Sequence, residues 1–112
     1  MRRLGEFEQM LLFALLRLGD EAHSVSVRAE IEARTHQSVS PGATFTALER
    51  LESRRLVESR FGEPTPERGG KRKKHYVLTA KGAEALNRSY ETLRQMSAGQ
   101  VDKLRELAGS SE

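Results

Sequence analysis

The strongest chemical bias in the chain lies in the run RGGKRKKH, where Arg68, Lys71, Arg72, Lys73 and Lys74 follow one another with no carboxylate until Glu84. Five cations on so short a stretch can neutralise a row of phosphates, which releases condensed counterions and makes binding steeply salt-dependent. A solvated edge strand also uses lysine to avoid aggregation, but one or two charges are enough for that. Glu63 and Glu67 precede the run, so it is not uniformly basic.

The second informative stretch is SPGATFTALERLESRRLV, from Ser40 to Val57. Ser40 is a good helix N-cap, and Pro41 falls at the first helical position, where its missing N–H costs nothing. Phe45, Leu48 and Leu51 are expected to form the core face. Ser40, Gly42, Thr44, Thr46, Ala47 and Arg50 would then lie on the exposed side. Short side chains let a helix start approach base edges and phosphates; a threonine methyl can meet a thymine methyl, and Arg50 can reach guanine or phosphate. The same Ser, Pro, Gly and Thr also serve simply to begin a helix, and on these residues alone both readings stand.

Other chemistries find no support. The segment ERGGKRK lacks the glycine five positions before Gly70 and the Ser or Thr after Lys71 that a phosphate-cradling nucleotide loop requires. With no cysteine there is no disulfide, thiolate metal site or cysteine nucleophile. His23, His36 and His75 show no metal-ligand spacing. Most acids sit beside bases, as in Glu49, Arg50, Glu52 and Arg54, the pattern of a solvated helix face. No nucleophile, base and orienting group recur together, so neither an enzyme, a cofactor nor a metal site is expected.

These stretches need a frame. GEFEQMLLFALLRLGD places Phe7, Met10, Leu11, Ala14, Leu15 and Leu18 at helical spacing and stops at Gly19. Leu12, Phe13 and Leu16 fall outside that stripe, and a helix apolar nearly all round in so small a protein is expected to touch a second chain. SVSVRAEIEARTH alternates like a strand, yet Ala, Glu, Arg and a capping Ser24 favour a helix with Val27 and Ile31 inward. After the third helix, VESRF and KKHYVL form two strands around the Gly- and Pro-rich GEPTPERGGKR, with Tyr76 and Leu78 pinning the hairpin to the core. From Thr79, a plausible N-cap, one long helix follows, bent or frayed near Gly99. Its seam of Leu86, Tyr90, Leu93, Leu104 and Leu107 needs another subunit.

The expected fold class is therefore mostly α with a small β-hairpin: a winged helix-turn-helix over residues 1–79, a dimerisation helix over 80–108 and a disordered tail at 109–112. In this architecture the third helix enters the major groove and the hairpin lies along the phosphates. A two-fold dimer would set two such helices roughly 34 to 36 Å apart, matching successive major grooves. At 112 residues and 37% apolar content, with no Trp, four Phe and two Tyr, the monomer's core must be small and aliphatic. The formal net charge is +3, so the distribution of charge carries more meaning than its sum. The longest apolar run, Met10 to Leu16, is about a third of a membrane crossing, and no leader pattern precedes it. A cytoplasmic protein is expected.

On GEFEQMLLFALLRLGDEAHSVSVRAEIEART, SPGATFTALERLESRRLVESR and GEPTPERGGKRKKHYVLTAKGAEAL, together with the single C-terminal helix, the chain resembles the PadR-like family of bacterial transcriptional regulators. It is similar to the short type, in which one helix dimerises. The resemblance implies a homodimeric repressor that binds an imperfect palindrome, often in its own promoter, with release by a small molecule in some members. Phe45 stands where that family commonly has tyrosine. Arg55 replaces the usual glycine after the third helix, which implies a strained backbone if its φ is positive. The alternative function is an interaction module whose basic hairpin meets an acidic protein partner.

The assignments are then Ser40 and Gly42 for docking at phosphate, Thr44, Thr46 and Arg50 for base readout, and Arg68, Lys71, Arg72 and Lys73 for phosphate contacts. The dimer contact is assigned to Leu12, Phe13, Leu16, Leu86, Tyr90, Leu93, Leu104 and Leu107. Double-stranded DNA, a second copy and a possible small-molecule effector are the expected partners; a membrane is not.

Overall fold

The computed structural model describes residues 3–63 and 72–109. The element order is α1 (Glu6–Leu18), a 3-10 turn (Gly19–Glu21), α2 (Ser24–Thr35), α3 (Pro41–Ser53), β1 (Val57–Phe61), β2 (Lys74–Leu78), α4 (Ala80–Ser97) and α5 (Val101–Gly109). Three helices followed by an antiparallel hairpin constitute a winged helix. The hairpin runs in register from Val57 opposite Leu78 to Phe61 opposite Lys74.

The helix boundaries have local causes. Gly5 precedes α1 and its N–H donates to Glu8 Oε1 at 2.8 Å. Gly19 ends the helix with φ +75°. Ser40 caps α3 by accepting from the Ala43 N–H at 3.2 Å, with Pro41 next to it at the first position. Thr79 caps α4 through the Gly82 N–H at 3.0 Å. The second segment is helical, with Val27 and Ile31 buried as its amphipathic pattern demands.

The core is formed by Leu11, Leu12, Leu15, Val27, Ile31, Leu48, Leu51, Leu56, Val57, Tyr76 and Leu86, among others. It is largely aliphatic. Helix α1 lies at its centre and touches α2, α3, α4 and β2. That surround buries more of α1 than a single stripe would: Leu12, assigned to a dimer contact by its place outside the stripe, is fully buried within the monomer. Leu86 is likewise only 4% exposed, because the first turns of α4 pack on this core. Neither is available to a second chain.

The turn between α2 and α3 is held on both its backbone faces. Arg28 Nε donates to the Val39 carbonyl at 3.0 Å, and the Val39 N–H donates to Glu32 Oε2 at 2.8 Å. The two side chains stand one helical turn apart on α2, so a rigid helix fixes where α3 begins. Arg54, at the other end of α3, reaches Glu8 of α1 at 3.3 Å.

The C-terminal segment differs from the single helix expected over 80–108. Ala98 leaves helical geometry, Gly99 has φ +76°, and a new helix starts at Val101. No buried side chain lies between Leu86 and the end of α5 to hold one continuous rod against the core. Tail residues 110–112 lie outside the described residues, and Gly109 is the last residue of α5.

Candidate nucleic-acid interface

The start of α3 presents a low surface. Ser40, Pro41, Gly42, Ala43, Phe45, Thr46 and Arg50 are exposed, while Thr44, Leu48 and Leu51 face inward. At about 100° per residue, Thr44, Leu48 and Leu51 fall within about 60° of one another, whereas Phe45 lies about 120° from Leu51. Two expectations are thereby corrected. Thr44 is fully buried, and its hydroxyl donates to the Ser40 carbonyl at 2.8 Å, so it presents nothing to a groove. Phe45, expected in the core, is 51% exposed. Residue chemistry suggested the opposite assignment for both; the angular positions alone could have found it.

The Arg50 side chain is exposed and makes no hydrogen bond or ion pair with another described residue, while its carbonyl accepts the Arg54 N–H at 3.2 Å. The hairpin's described cations divide into two kinds. Arg72 and Lys73 are exposed. Arg72 Nε donates to the Gly62 carbonyl at 2.9 Å, and its guanidinium lies 5.8 Å from the centre of the Phe61 ring. Arg68 and Lys71, also assigned to phosphate, lie outside the described residues.

Lys74 has a different task. Its Nζ is 2.9 Å from Glu49 Oε2 and 3.4 Å from Glu52 Oε1, both on α3. The buried Tyr76 hydroxyl donates to the same Glu49 oxygen at 2.6 Å, and Ser59 of β1 donates to Glu52. This network latches the base of the hairpin to α3 and uses up the charge of Lys74. The hydrogen bonds from Tyr76 and then Lys74 hold the Glu49 carboxyl below its ordinary 4.5, while the bond to Glu49 raises the Lys74 ammonium. Burial, reinforced by Glu49, pushes the Tyr76 phenol well above its usual range. Neither Glu49 nor Tyr76 figured among the assigned site residues: the signal is a carboxylate on the helix flank facing the strand, invisible until the hairpin is placed.

The hairpin is also tied to the segment before α2. The Tyr76 N–H donates to the Ala22 carbonyl at 2.9 Å, and His23 pairs with His75 in an isolated antiparallel bridge. The two imidazoles, far apart in sequence, meet edge to face at 6.0 Å. Among the described residues no group of three metal-ligating side chains occurs, and no helix is long and apolar enough to cross a membrane.

Against this geometry, the family model described as "Transcriptional regulator PadR-like family" matches residues 12–88, well over half of the chain. The chain belongs to the PadR-like family of transcriptional regulators. PadR-like proteins are regulators rather than enzymes, and the winged helix described above is their fold. Solved structures agree. A PadR-like transcriptional regulator from Bacillus cereus superposes with a TM-score of 0.67 at 21% identity, covering 88% of this chain and 89% of the other. A PadR family regulator from Clostridium difficile gives 0.65 at 22% identity, covering 88% and 98%. F93 from STIV, a winged-helix DNA-binding protein, gives 0.68 at 17% identity over the same shares. An uncharacterized 37.1 kDa protein in transposon TN4556 of Streptomyces fradiae is 33% identical over 89 residues, which is 80% of this chain and 24% of that protein. The PadR-like chain thus spans about a quarter of that relative's length.

Proposed function

We propose that this PadR-like chain acts as a homodimeric repressor on a palindromic duplex. Helix α3 lies in the major groove and the hairpin follows the phosphates. The observation that carries the reading is the low, exposed start of α3 beside the free Arg50, with the cationic hairpin latched against the same helix. Ser40 and Gly42 dock at phosphate, Thr46 and Arg50 read base edges, and Arg68, Lys71, Arg72 and Lys73 contact phosphate. Repression, an operator in the chain's own promoter and release by a small molecule are carried over from what the family resemblance implies for some of its members. The groove between Phe13, Leu16, Leu78, Leu86, Asn87 and Tyr90, about 150 Å³, is the place for such an effector.

The dimer reading rests on side chains that the monomer leaves uncovered. Leu16 is 61% exposed, Leu93 66%, and Leu104 and Leu107 63% each. Phe13 and Tyr90 meet edge to face at 6.4 Å and remain partly exposed, extending the seam across α1 and α4. A second copy supplies the same stripe, as a two-fold contact requires.

A gel shift on the DNA upstream of the chain's own coding region, with the solution mass measured in parallel, tests the proposal. Retardation by a dimer is expected, and absence of a shift at low salt would favour an acidic protein partner instead. Replacing Lys71 and Lys73 together by Ala is expected to weaken all duplexes alike and to lower the logarithmic salt slope by about 2. An unchanged slope would remove the hairpin from the mechanism.

A further inference from the structure

The phenyl ring of Phe45 is no part of the monomer's core. It is half exposed, makes no ring or cation contact with a described residue, and lies outside the core face of Thr44, Leu48 and Leu51. Most of the other exposed large apolar side chains belong to α1, α4 and α5, where the proposed dimer contact accounts for them; Val25 on α2 and Val77 on β2 are exposed apart from it, and Phe45 is the exposed large apolar residue of α3. Phe61 has Lys74 and Arg72 lying over its ring. Phe45 instead lies on α3 one turn from the exposed Pro41 and Gly42 and beside the exposed Thr46, while Glu49, a turn further on, is engaged by Lys74 and Tyr76.

An aromatic ring carried on the outer side of a groove-entering helix meets a surface that is polar almost everywhere. The one apolar group on base edges in the major groove is the C5-methyl of thymine. We infer that Phe45 is a specificity-determining residue, its ring packing against a thymine methyl in each half-site. The inference rests on the reading of α3 as the groove-entering helix. Thr46, next to it, and Arg50, further along α3 and about 140° round the helix, supply the polar partners that set register, while Phe45 discriminates thymine from cytosine and uracil at one position by an apolar contact.

The test uses the full-length chain and a duplex it selects itself from a random-sequence pool. Each thymine of that duplex is replaced singly by deoxyuridine, which deletes one methyl and leaves every hydrogen-bonding group in place. Wild-type protein is expected to lose about four-fold in affinity at one thymine per half-site, the worth of one buried methyl-sized group. Phe45→Ala should bind the thymine duplex several-fold more weakly and show no further loss at that deoxyuridine, so the two changes are coupled rather than additive. Since Phe45 contributes little to the core, Phe45→Ala should melt with wild type, which separates a lost contact from a lost fold. A selected duplex with no methyl-sensitive position, or equal sensitivity in wild type and Phe45→Ala, overturns the inference while leaving DNA binding intact. Failure to enrich any duplex would instead overturn the underlying reading of α3.

Discussion

Arg55 shows how a single residue can be read correctly from sequence and still need coordinates to be understood. Its φ is +63°, in the left-handed region that favours glycine, the case in which the sequence implied strain. The strain persists because the surroundings hold it: the Arg55 N–H donates to the Glu52 carbonyl at 2.8 Å, and its own carbonyl accepts from Thr79 Oγ1 at 2.8 Å. Arg55→Gly is expected to stabilise the fold by about 1 kcal/mol, read as a higher urea midpoint at unchanged slope. A midpoint equal to or below wild type would show that the arginine side chain compensates its backbone. Thr44 and Phe45 teach the opposite lesson. Threonine suggests surface and phenylalanine suggests core, yet position along the helix overrode both types, because Thr44 could satisfy its hydroxyl on the preceding turn.

At the scale of elements, α1, α3 and the hairpin were legible because caps, periodicity and turn residues agreed at their boundaries; α2, whose residues alternate like a strand, is capped by His23 rather than the expected Ser24, and the break between α4 and α5 was drawn as one helix. What joins them was not. The Glu49, Lys74 and Tyr76 latch forms between residues 25 and 27 positions apart, and no local pattern marks it. It explains why one cation of the basic run is spent on the protein's own helix. Because the Glu49 carboxyl titrates lower in the folded chain than in the unfolded one, its stabilisation is fully present above about pH 5 and fades as pH falls through the depressed value. Glu49→Gln, which keeps the shape and removes the charge, should therefore flatten the fall in stability between about pH 5 and pH 3. Urea midpoints measured in steps across that interval decide the matter; identical acid limbs in both proteins would refute a role for the ionised latch. The isolated bridge of His23 and His75 was equally hidden, since it pairs a loop with a strand 52 positions away.

The whole molecule is longer than its chain length suggests. Its radius of gyration is 16.6 Å, against about 13 Å for a compact domain of this length, and its extents are 54 × 34 × 20 Å. The excess lies in α4 and α5, which beyond Leu86 bury nothing. The sequence announced the uncovered seam through its apolar spacing, but overdrew it at Leu12 and Leu86, which the monomer claims for itself. If the proposed dimer forms through this seam, changing Leu93 and Leu104 to Lys is expected to leave the winged helix folded and the protein monomeric, as circular dichroism and light scattering would show together. A dimer that survives both changes would place the subunit contact elsewhere.

The seat of α4 is unusually tight. A methyl group on Gly82 would stand 2.0 Å from the Leu56 carbonyl oxygen and 2.8 Å from Leu78 Cδ1, and the Thr79 N–H donates to that same carbonyl at 3.1 Å. Leu56 links the end of α3 to the start of β1. The 18 residues of α4 make a shaft of about 27 Å with its fulcrum at this junction. A tilt of about 5° that left the seat unmoved would carry the far end through about 2 Å. With backbone in direct contact at the fulcrum, there is little slack to absorb a larger swing. A displacement of the C-terminal end is therefore felt at Leu56, the root of both α3 and the hairpin.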